Sequence, residues 1–352
     1  MTVSSAPTLK IIGAAHIERW LEAHPRRVFE LVEQAYLDHA RGRALNPDSY
    51  FLRFPDSDRN RIIALPAVLE DERPIAGLKW ISSFPENIAH GRDRASAMLV
   101  LNDRRTGYPL ACLEGSVISA ARTAAAAAVG ARHLHPAPGS VERLAVVGCG
   151  PIAFRTVGML HALGWRIGEL ALCDLSAARA ALFLEKCEAL GLGGAVREAG
   201  EALQVSDMAL FATSAVTPGD YAPAWFAHAP TVLHLSLRDL PVTIIATAQN
   251  VADDVGHCLK AGTSLDLAAR QLGHHDFVEG GIAEAIEGRI VPDPARARIY
   301  SPFGMGVLDL AVAREILAAA GPDQSIEVGD FFPVPYQAQA GLPTRTGQAT
   351  RP

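Results

Sequence analysis

The chain has 352 residues, of which 49% are hydrophobic and 20% charged. It is therefore long enough for two packed cores and too apolar to be disordered. A net charge of −6 without a long Lys/Arg block disfavours nucleic acid as a partner. Since neither a signal-peptide pattern nor a long apolar run occurs, we expect a cytoplasmic protein that does not bind a membrane.

Neither the cysteines nor the histidines indicate a metal site. The number of cysteines is odd and no two are spaced as CxxC, so we expect reduced, mostly buried thiols: Cys112, Cys149, Cys173, Cys187 and Cys258. The histidine pairs have no third ligand at a fixed spacing, and we interpret them as surface or loop residues: His133 with His135, and His274 with His275.

The N-terminal third predicts a separate α+β region. Residues 16–42 have a helical hydrophobic period, from HIERWLEAH to YLDHARG. Three β-like runs follow, at residues 61–68, 75–83 and 96–103.

From residue 143 the pattern changes to a βαβα series. RLAVVG and ELALCD are of strand type, and each precedes a helical run. Further apolar runs of strand length follow at residues 207–215, 231–240 and 250–254. The fold class is therefore α/β, with a doubly wound parallel sheet of the Rossmann type over residues 132–305.

After this sheet, residues 306–321 predict an amphipathic helix and residues 325–332 a final strand. A return of this strand to the first region makes that domain discontinuous, with residues 1–131 and 306–336. The Gly/Pro/Thr/Gln-rich tail, residues 337–352, is expected to be flexible.

A dinucleotide-binding turn is predicted at VVGCGPIA, residues 146–153. Gly148, Gly150 and Ala153 form a GxGxxA pattern between a β-run and a helical run. Gly148 permits the tight turn, and Gly150 allows the backbone to approach a pyrophosphate at the helix N-terminus.

Asp174 ends the second β-run, where an acid accepts hydrogen bonds from the adenosine ribose and repels a 2′-phosphate. This position favours NAD over NADP. Two alternatives stay open: Asp174 only begins the helix after Ser176, or Arg179 reaches a 2′-phosphate.

Arg122 is the only ionisable residue in GSVISAARTAAAAAVGA, residues 115–131. Burying an unpaired guanidinium costs several kcal/mol, so Arg122 needs a partner from elsewhere. The candidates are Glu114, an acid across the domain boundary, or a bound carboxylate gripped by two hydrogen bonds. A structural salt bridge is as compatible with the sequence as a ligand site.

Two further charges are unusually placed. Lys79 lies inside the apolar run IAGLKWISS, and the alternative to a functional role is a lysine that snorkels from an edge strand. Asp239 follows TVLHLSL, at the sheet edge where doubly wound domains bind ligands. Its alternatives are an ion pair with Arg238 and a helix cap before Pro241.

These motifs resemble the ornithine cyclodeaminase/mu-crystallin family over nearly the whole chain. The lysine segment and the block from TGYP to ARTAA are the most specific. The resemblance is carried by GLKWISSFPEN (77–87), LVLNDRRTGYPLACLEGSVISAARTAAAAA (99–128), VVGCGPIAF (146–154), HLSLRDL (234–240) and SPFGMGVLDLA (301–311).

The resemblance implies roles for individual residues. Lys79 and Arg53 would bind the substrate carboxylate, and Lys79 would also act in catalysis. Arg122 would lie between carboxylate and cofactor, Arg94 would bind the substrate and help to line the cofactor, and Asp239 would be the acid/base. The residues implied to bind NAD are Arg122, Gly148, Gly150, Pro151, Ile152, Asp174, Thr213, Ser214, Ser236, Phe303 and Gly304.

The sequence departs from the ornithine cyclodeaminases after the strand. It has SLRDLPVT in place of a GGDxPGK-like segment, with Arg238 beside the acid and no lysine at Thr243. KWISSFPENI, LEGSVISAARTA, HLSLRDL and SPFGMG instead resemble a branch that acts in siderophore and peptide-antibiotic pathways. That branch oxidises N-(2-amino-2-carboxyethyl)-L-glutamate with NAD to L-2,3-diaminopropionate and 2-oxoglutarate.

A substrate with three carboxylates suits a cationic pocket. We predict that this pocket is formed by Arg53, Lys79, Arg94 and Arg122, together with Arg92 or Arg238. Two alternatives remain: an ornithine or lysine cyclodeaminase with catalytic NAD, and a non-catalytic binder of the mu-crystallin type. The resemblance further implies a homodimer that pairs through the non-nucleotide domain.

Overall fold

The computed structural model describes residues 7–334, so the tail predicted from residue 337 lies outside the described range. The α-helices are α1 (Ala14–Ala23), α2 (Pro25–Ala40), α3 (Ser116–Leu134), α4 (Pro151–Ala162), α5 (Ala177–Glu188), α6 (Ala199–Gln204), α7 (Val242–Ile245), α8 (Val255–Cys258), α9 (Ser264–Leu272), α10 (Ile282–Ile286) and α11 (Gly306–Ala319). Short 3₁₀ turns occur at Pro85–His90, Pro223–Phe226 and Pro322–Gln324.

The strands form two separate sheets. They are β1 (Leu9–Ile12), β2 (Ala44–Leu45), β3 (Tyr50–Phe54), β4 (Ser57–Leu69), β5 (Ile75–Ser83), β6 (Ala95–Asp103), β7 (Pro109–Glu114), β8 (Ser140–Val147), β9 (Arg166–Cys173), β10 (Gly194–Val196), β11 (Met208–Phe211), β12 (Thr231–His234), β13 (Gln249–Ala252), β14 (Val278–Gly281), β15 (Arg298–Ser301) and β16 (Ile326–Val328).

The first sheet, called here the mixed sheet, has the order β16-β1-β7-β6-β5-β4-β2, with β3 also paired to β4. Its pairs are antiparallel except for β1 with β7. The last strand returns to the N-terminal region, because Leu9 on β1 pairs with Val328 on β16. The predicted return of the C-terminal strand is therefore observed.

The second sheet, called here the parallel sheet, has the order β10-β9-β8-β11-β12-β15-β13-β14, and every pair in it is parallel. Successive side chains enter different cores: Val146 packs in one core, and Ala145 and Val147 pack in the other. A sheet with both faces buried by helices is doubly wound. The predicted α/β class is confirmed.

Helix α3 lies between the two sheets. It contacts β6 of the mixed sheet and both β12 and β15 of the parallel sheet, and almost every residue from Ala121 to Ala131 is buried. A Cβ on Gly130 would lie 2.2 Å from the ring of Tyr300. Close packing on all sides explains the alanine-rich sequence, since larger side chains would separate the helix from its neighbours.

Two predicted elements differ from the observed ones. The helical stretch 16–42 is divided into α1 and α2 at Pro25, because proline fits a first helical turn but not a helix interior. Strand β12 ends at His234, short of the predicted 231–240 run. Leu237 there has φ 68°, a left-handed conformation that no strand accommodates. Among the described helices, none has the length and hydrophobicity to cross a membrane.

Candidate functional site

The glycine turn after β8 has the geometry that its sequence predicts. Gly148 has φ 91°, and a Cβ there would lie 2.7 Å from the carbonyl oxygen of Ala212. The space beside Gly150 is open, and α4 begins directly afterwards at Pro151. The turn therefore leaves an accessible helix N-terminus of the kind that holds a pyrophosphate.

Asp174 ties this turn to the next helix. Its Oδ2 accepts the backbone N–H of Cys149 at 2.9 Å, and its Oδ1 accepts that of Ser176 at 2.8 Å. Arg179 Nη1 lies 3.7 Å from Oδ1, with a side chain that is more than half exposed. The Asp174 carboxylate thus accepts a hydrogen bond from Ser176 at the start of the next helix, and Arg179 lies beside the expected ribose position.

The other residues predicted to bind the dinucleotide lie at the same edge. Ile152 is half-buried, whereas Ser214 is exposed. The hydroxyl groups of Thr213 and Ser236 both donate to the carboxylate of Asp239. These two side chains therefore orient the predicted acid/base.

Asp239 is buried at the carboxyl edge of the parallel sheet. Burial would raise its pKa, but hydrogen bonds from His234, Ser236 and Thr213 outweigh burial and hold the pKa below its ordinary value. The group is therefore ionised at neutral pH. Arg238 donates instead to the carbonyl of Ala261 at 2.8 Å, and among the described residues it has no ion pair.

His234 stands behind this carboxylate. Its Nε2 lies 3.4 Å from Asp239 Oδ2 and 3.3 Å from the backbone N of the same residue. In a neutral imidazole, Nε2 either donates to the Asp239 carboxylate or accepts the backbone N–H, depending on the tautomer. Its Nδ1 lies 3.1 Å from the hydroxyl of Ser301. The left-handed Leu237 reverses the chain so that Asp239 returns beside β12.

Arg122 and Lys79 meet at one carboxylate, that of Asp309 on α11. Arg122 Nε lies 3.3 Å from Oδ1, and Lys79 Nζ lies 2.6 Å from Oδ2. Ser119 bridges the two cations, accepting from Lys79 at 3.1 Å and from Arg122 at 3.4 Å. We call Lys79, Arg122 and Asp309 the cation triad.

This geometry resolves several alternatives. Glu114 is not the partner of Arg122, because its carboxylate accepts the N–H groups of Ser116 at 2.8 Å and Val117 at 2.9 Å. Lys79 does not snorkel from an edge, since β5 lies between β4 and β6 and the residue is 1% exposed. Arg122 does form a salt bridge within the protein, to Asp309. However, Asp309 is shared with Lys79, so two cations have one acid between them.

Lys79 is the member of the triad whose charge depends on ordinary pH. Burial and the nearby Arg122 lower its pKa to about 8, against the opposing effect of Asp309. Below that pH the triad contains two positive charges and one negative charge. Among residues 7–334, Asp309 is the only acid that forms an ion pair with either cation, so the triad then has one positive charge in excess.

The segment after β15 covers the triad. Gly304 has φ 94°, and a Cβ there would lie 2.8 Å from Arg122 Nη1. Asp253 fixes this segment by accepting the N–H groups of Phe303 at 2.8 Å and Gly304 at 2.7 Å. Burial raises the pKa of Asp253. The predicted closing segment therefore stands directly beside Arg122.

Four arginines form a second cationic cluster, the arginine group: Arg53, Arg61, Arg94 and Arg238. Burial lowers the pKa of Arg61, and the nearby guanidinium groups of Arg94, Arg238 and Arg53 lower it further. Burial also lowers the pKa of Arg238, with Arg53 adding to this effect and Asp239 opposing it. Guanidinium groups from the two sheets are therefore close enough to affect one another's pKa.

The sequence interpretation missed four residues of this region: Asp309, Asp253, His234 and Arg61. Asp309 carried a signal, since it is an acid in the apolar run GVLDLAVA, just as Arg122 is a lone cation in an alanine run. Arg61 carried none, because an arginine at the start of a strand is ordinarily solvated.

The first histidine pair, His133 and His135, contacts protein groups. His133 Nε2 lies 2.7 Å from a carboxylate oxygen of Glu33, and His135 Nδ1 lies 3.0 Å from the hydroxyl of Thr231. Within residues 7–334, no three His, Cys, Asp or Glu side chains are grouped to hold a metal ion. All five thiols are free.

Residues 14–229 match the ornithine cyclodeaminase/mu-crystallin family. The chain belongs to this family, which confirms the resemblance read from its motifs. An alanine dehydrogenase of Archaeoglobus fulgidus is 29% identical over 300 residues, covering 81% of this chain and 87% of that protein. The N-((2S)-2-amino-2-carboxyethyl)-L-glutamate dehydrogenase of Staphylococcus aureus is 26% identical over 314 residues, covering 86% and 92%.

Solved structures show the same fold. An archaeal alanine dehydrogenase dimer with bound NAD has a TM-score of 0.83 and 25% identity, covering 92% of this chain and 100% of that one. The Thermococcus litoralis Δ¹-pyrroline-2-carboxylate reductase, in complex with NADH and L-proline, has a TM-score of 0.80 and 23% identity, covering 88% and 96%.

Proposed function

We propose that the protein binds NAD at the carboxyl edge of the parallel sheet. The turn at Gly148 and Gly150 would hold the pyrophosphate at the N-terminus of α4, and Asp174 would face the adenosine ribose. The nicotinamide would lie between the Phe303–Gly304 segment and Arg122. The open space at Gly150 and the carboxylate of Asp174 support this placement, and the solved relatives with NAD and NADH agree with it.

We further propose that the substrate is an anionic secondary amine, N-(2-amino-2-carboxyethyl)-L-glutamate, and that the products are L-2,3-diaminopropionate and 2-oxoglutarate. The observation that carries this proposal is the cation triad. Lys79 and Arg122 share the single acid Asp309, so one positive charge remains for a substrate carboxylate. The Staphylococcus aureus relative, which is named for this activity, supports the choice of substrate.

The chemistry assigns a task to each side chain. NAD, when bound, supplies an acceptor for the hydride that leaves the glutamate α-carbon. Lys79 and Arg122 would hold the α-carboxylate and, as neighbouring cations, favour the neutral amine whose lone pair assists hydride loss. Asp239 would take a proton from the water that attacks the resulting substrate imine. Collapse of the carbinolamine then separates 2-oxoglutarate from the amine product.

The regions around the two sheets would have different functions. In this proposal residues 132–305 hold the dinucleotide, and residues 1–131 with 306–336 hold the substrate and pair two copies. The outer face of the mixed sheet supports pairing, since Tyr50, Trp80 and Met98 align across the strands and are exposed. An apolar row of this kind is typical of an interface. The archaeal relative is a dimer.

Replacement of the acid/base tests the proposal. In Asp239→Asn, NADH formation from the tricarboxylate should fall about 10²- to 10⁴-fold, which is the usual contribution of a general acid/base. NAD affinity should be retained, because the glycine turn is unchanged. Steady-state NADH formation and NAD titration measure the two effects, with the exposed Asp276→Asn as the control. Undiminished NADH formation by Asp239→Asn would refute the role.

A further inference from the structure

The arginine group is aligned by strand pairing. On the antiparallel strands β3 and β4, Arg53 lies directly opposite Arg61. Arg61 in turn lies opposite Ser83 at the end of β5, and the carbonyl of Arg94 accepts the N–H of the next residue, Phe84, at 2.8 Å. Three arginines thus lie next to one another at one end of the mixed sheet.

Two of these arginines, Arg53 and Arg61, share a face of the sheet with Lys79. On the antiparallel strands β4 and β5, Leu65 pairs with Lys79 and Arg61 pairs with Ser83. Arg61 therefore lies four residues from the position opposite Lys79. An even spacing places Arg61 and Lys79 on the same face, about 13 Å apart at about 3.3 Å per residue. Two cationic positions therefore lie on one face, separated by the length of four strand residues.

Arg238 completes the group from the parallel sheet. It stands next to Asp239, and the charge of Arg53 acts on its pKa. Its guanidinium donates a hydrogen bond to the backbone carbonyl of Ala261 at 2.8 Å. The loop after β12 thus brings a cation from the parallel sheet toward the arginines of the mixed sheet.

Within residues 7–334, none of these four arginines has an ion pair with an acid. Like charges directly opposite on paired strands destabilise a sheet, and Arg53 faces Arg61. Burial of a guanidinium adds a desolvation cost, and Arg61, Arg94 and Arg238 are half-buried. The arrangement is unfavourable for the protein alone and favourable for a protein that binds several negative charges.

We propose that Arg61 and Arg238, supported by Arg53 and Arg94, bind the substrate carboxylates distal to the reacting carbon. This inference rests on the proposed function, in which the cation triad holds the α-carboxylate. It makes Arg61 and Arg238 specificity-determining residues for a polycarboxylate amine. Amino acids with a single carboxylate gain no binding energy from this subsite. Amino acids with a distal ammonium, such as ornithine, are repelled by it.

Arg61→Gln and Arg238→Gln test the subsite. For the tricarboxylate, each variant should raise KM about 10- to 100-fold, since a charge-assisted hydrogen bond contributes about 1.5–3 kcal/mol. The kcat should change little, because neither side chain contacts the reacting atoms. An analogue with amides in place of both distal carboxylates should bind the wild type weakly and be insensitive to both variants.

Arg105→Gln is the matched control, because it removes one exposed arginine from the β6–β7 turn at the other end of the strands. It should leave KM unchanged. Thermal unfolding separates binding from structure: removing a repulsive cation should leave the melting temperature of Arg61→Gln equal to or above that of the wild type. A lower melting temperature with unchanged KM would show a structural role and overturn the inference.

A binding series without turnover keeps the subsite distinguishable from the proposed reaction. Acetate, succinate and propane-1,2,3-tricarboxylate are titrated calorimetrically into the protein with NAD. Affinity should rise along the series in the wild type and stay nearly flat in Arg61→Gln. A rising series without turnover of the amine would retain the subsite and reject the reaction. A flat wild-type series, or tighter binding of inorganic phosphate than of the tricarboxylate, would reject the subsite.

Discussion

The two cationic clusters of this protein differ in their counter-charge. In the cation triad, Lys79 and Arg122 are buried and share the carboxylate of Asp309. In the arginine group, Arg61, Arg94 and Arg238 are half-buried, and none of the four arginines forms an ion pair with an acid among the described residues. Buried charges with a partner belong to the folded core, and removal of that partner is costly. In our proposal, the arginines without a protein acid are neutralised by substrate carboxylates.

We expect the two clusters to differ strongly in their contribution to stability. Asp309→Asn leaves two buried cations without a carboxylate and should lower the free energy of unfolding by about 3–5 kcal/mol. Arg61→Gln should change it by no more than about 0.5 kcal/mol, as expected of a substitution that removes no favourable contact. Denaturant titrations measure both values.

Asp323→Asn, at an exposed acid in the turn before β16, is the control for the loss of one negative charge. It should leave the unfolding midpoint in place. Equal stability of Asp309→Asn and Asp323→Asn would show that the triad does not need its acid, and the distinction between the two clusters would be lost.

A smaller expected effect is a pH dependence of ligand affinity, which arises from Lys79 of the cation triad. The pKa of Lys79 is lowered to about 8, so raising the pH from 7 to 9 removes its proton and the excess charge of the triad. If the protonated form alone binds, the Kd of 2-oxoglutarate with NADH should rise about tenfold over this range. This ligand has no amine and keeps its charge, so its calorimetric titration reports the protein alone.

Lys79→Met is the matched variant for this pH dependence. Its affinity for 2-oxoglutarate should be weaker than that of the wild type at pH 7 and should not vary between pH 7 and 9. A tenfold rise of Kd that persists in Lys79→Met would assign the titration to another group.

The repeating elements of the fold could be predicted because their hydrophobic periods are local properties of the sequence. The βαβα series around VVGCGPIA gave the parallel sheet, and the family match confirms the resemblance carried by the same motifs. The end of β12 could not be predicted, since LHLSL continues an apolar pattern through the left-handed Leu237. There the tertiary contacts of Asp239 outweigh local propensity.

The site was predictable only in part, for a similar reason. Arg122 and Lys79 stand out because each is a charge among apolar neighbours. Their shared partner, Asp309, lies 187 residues beyond Arg122, so no local pattern links them. The arginine group is less visible still, because the pairing of Arg53 with Arg61 depends on strand register. Charges that a fold assembles from distant strands require the structure.

The most direct test of the account follows the hydride. N-(2-amino-2-carboxyethyl)-L-glutamate carrying deuterium at the glutamate α-carbon is mixed with the protein and NAD, and the products are measured by absorbance and mass spectrometry. We expect deuterated NADH and unlabelled 2-oxoglutarate in equal amounts. Conversion of ornithine to proline without net NADH, together with no reaction of the labelled tricarboxylate, would contradict it.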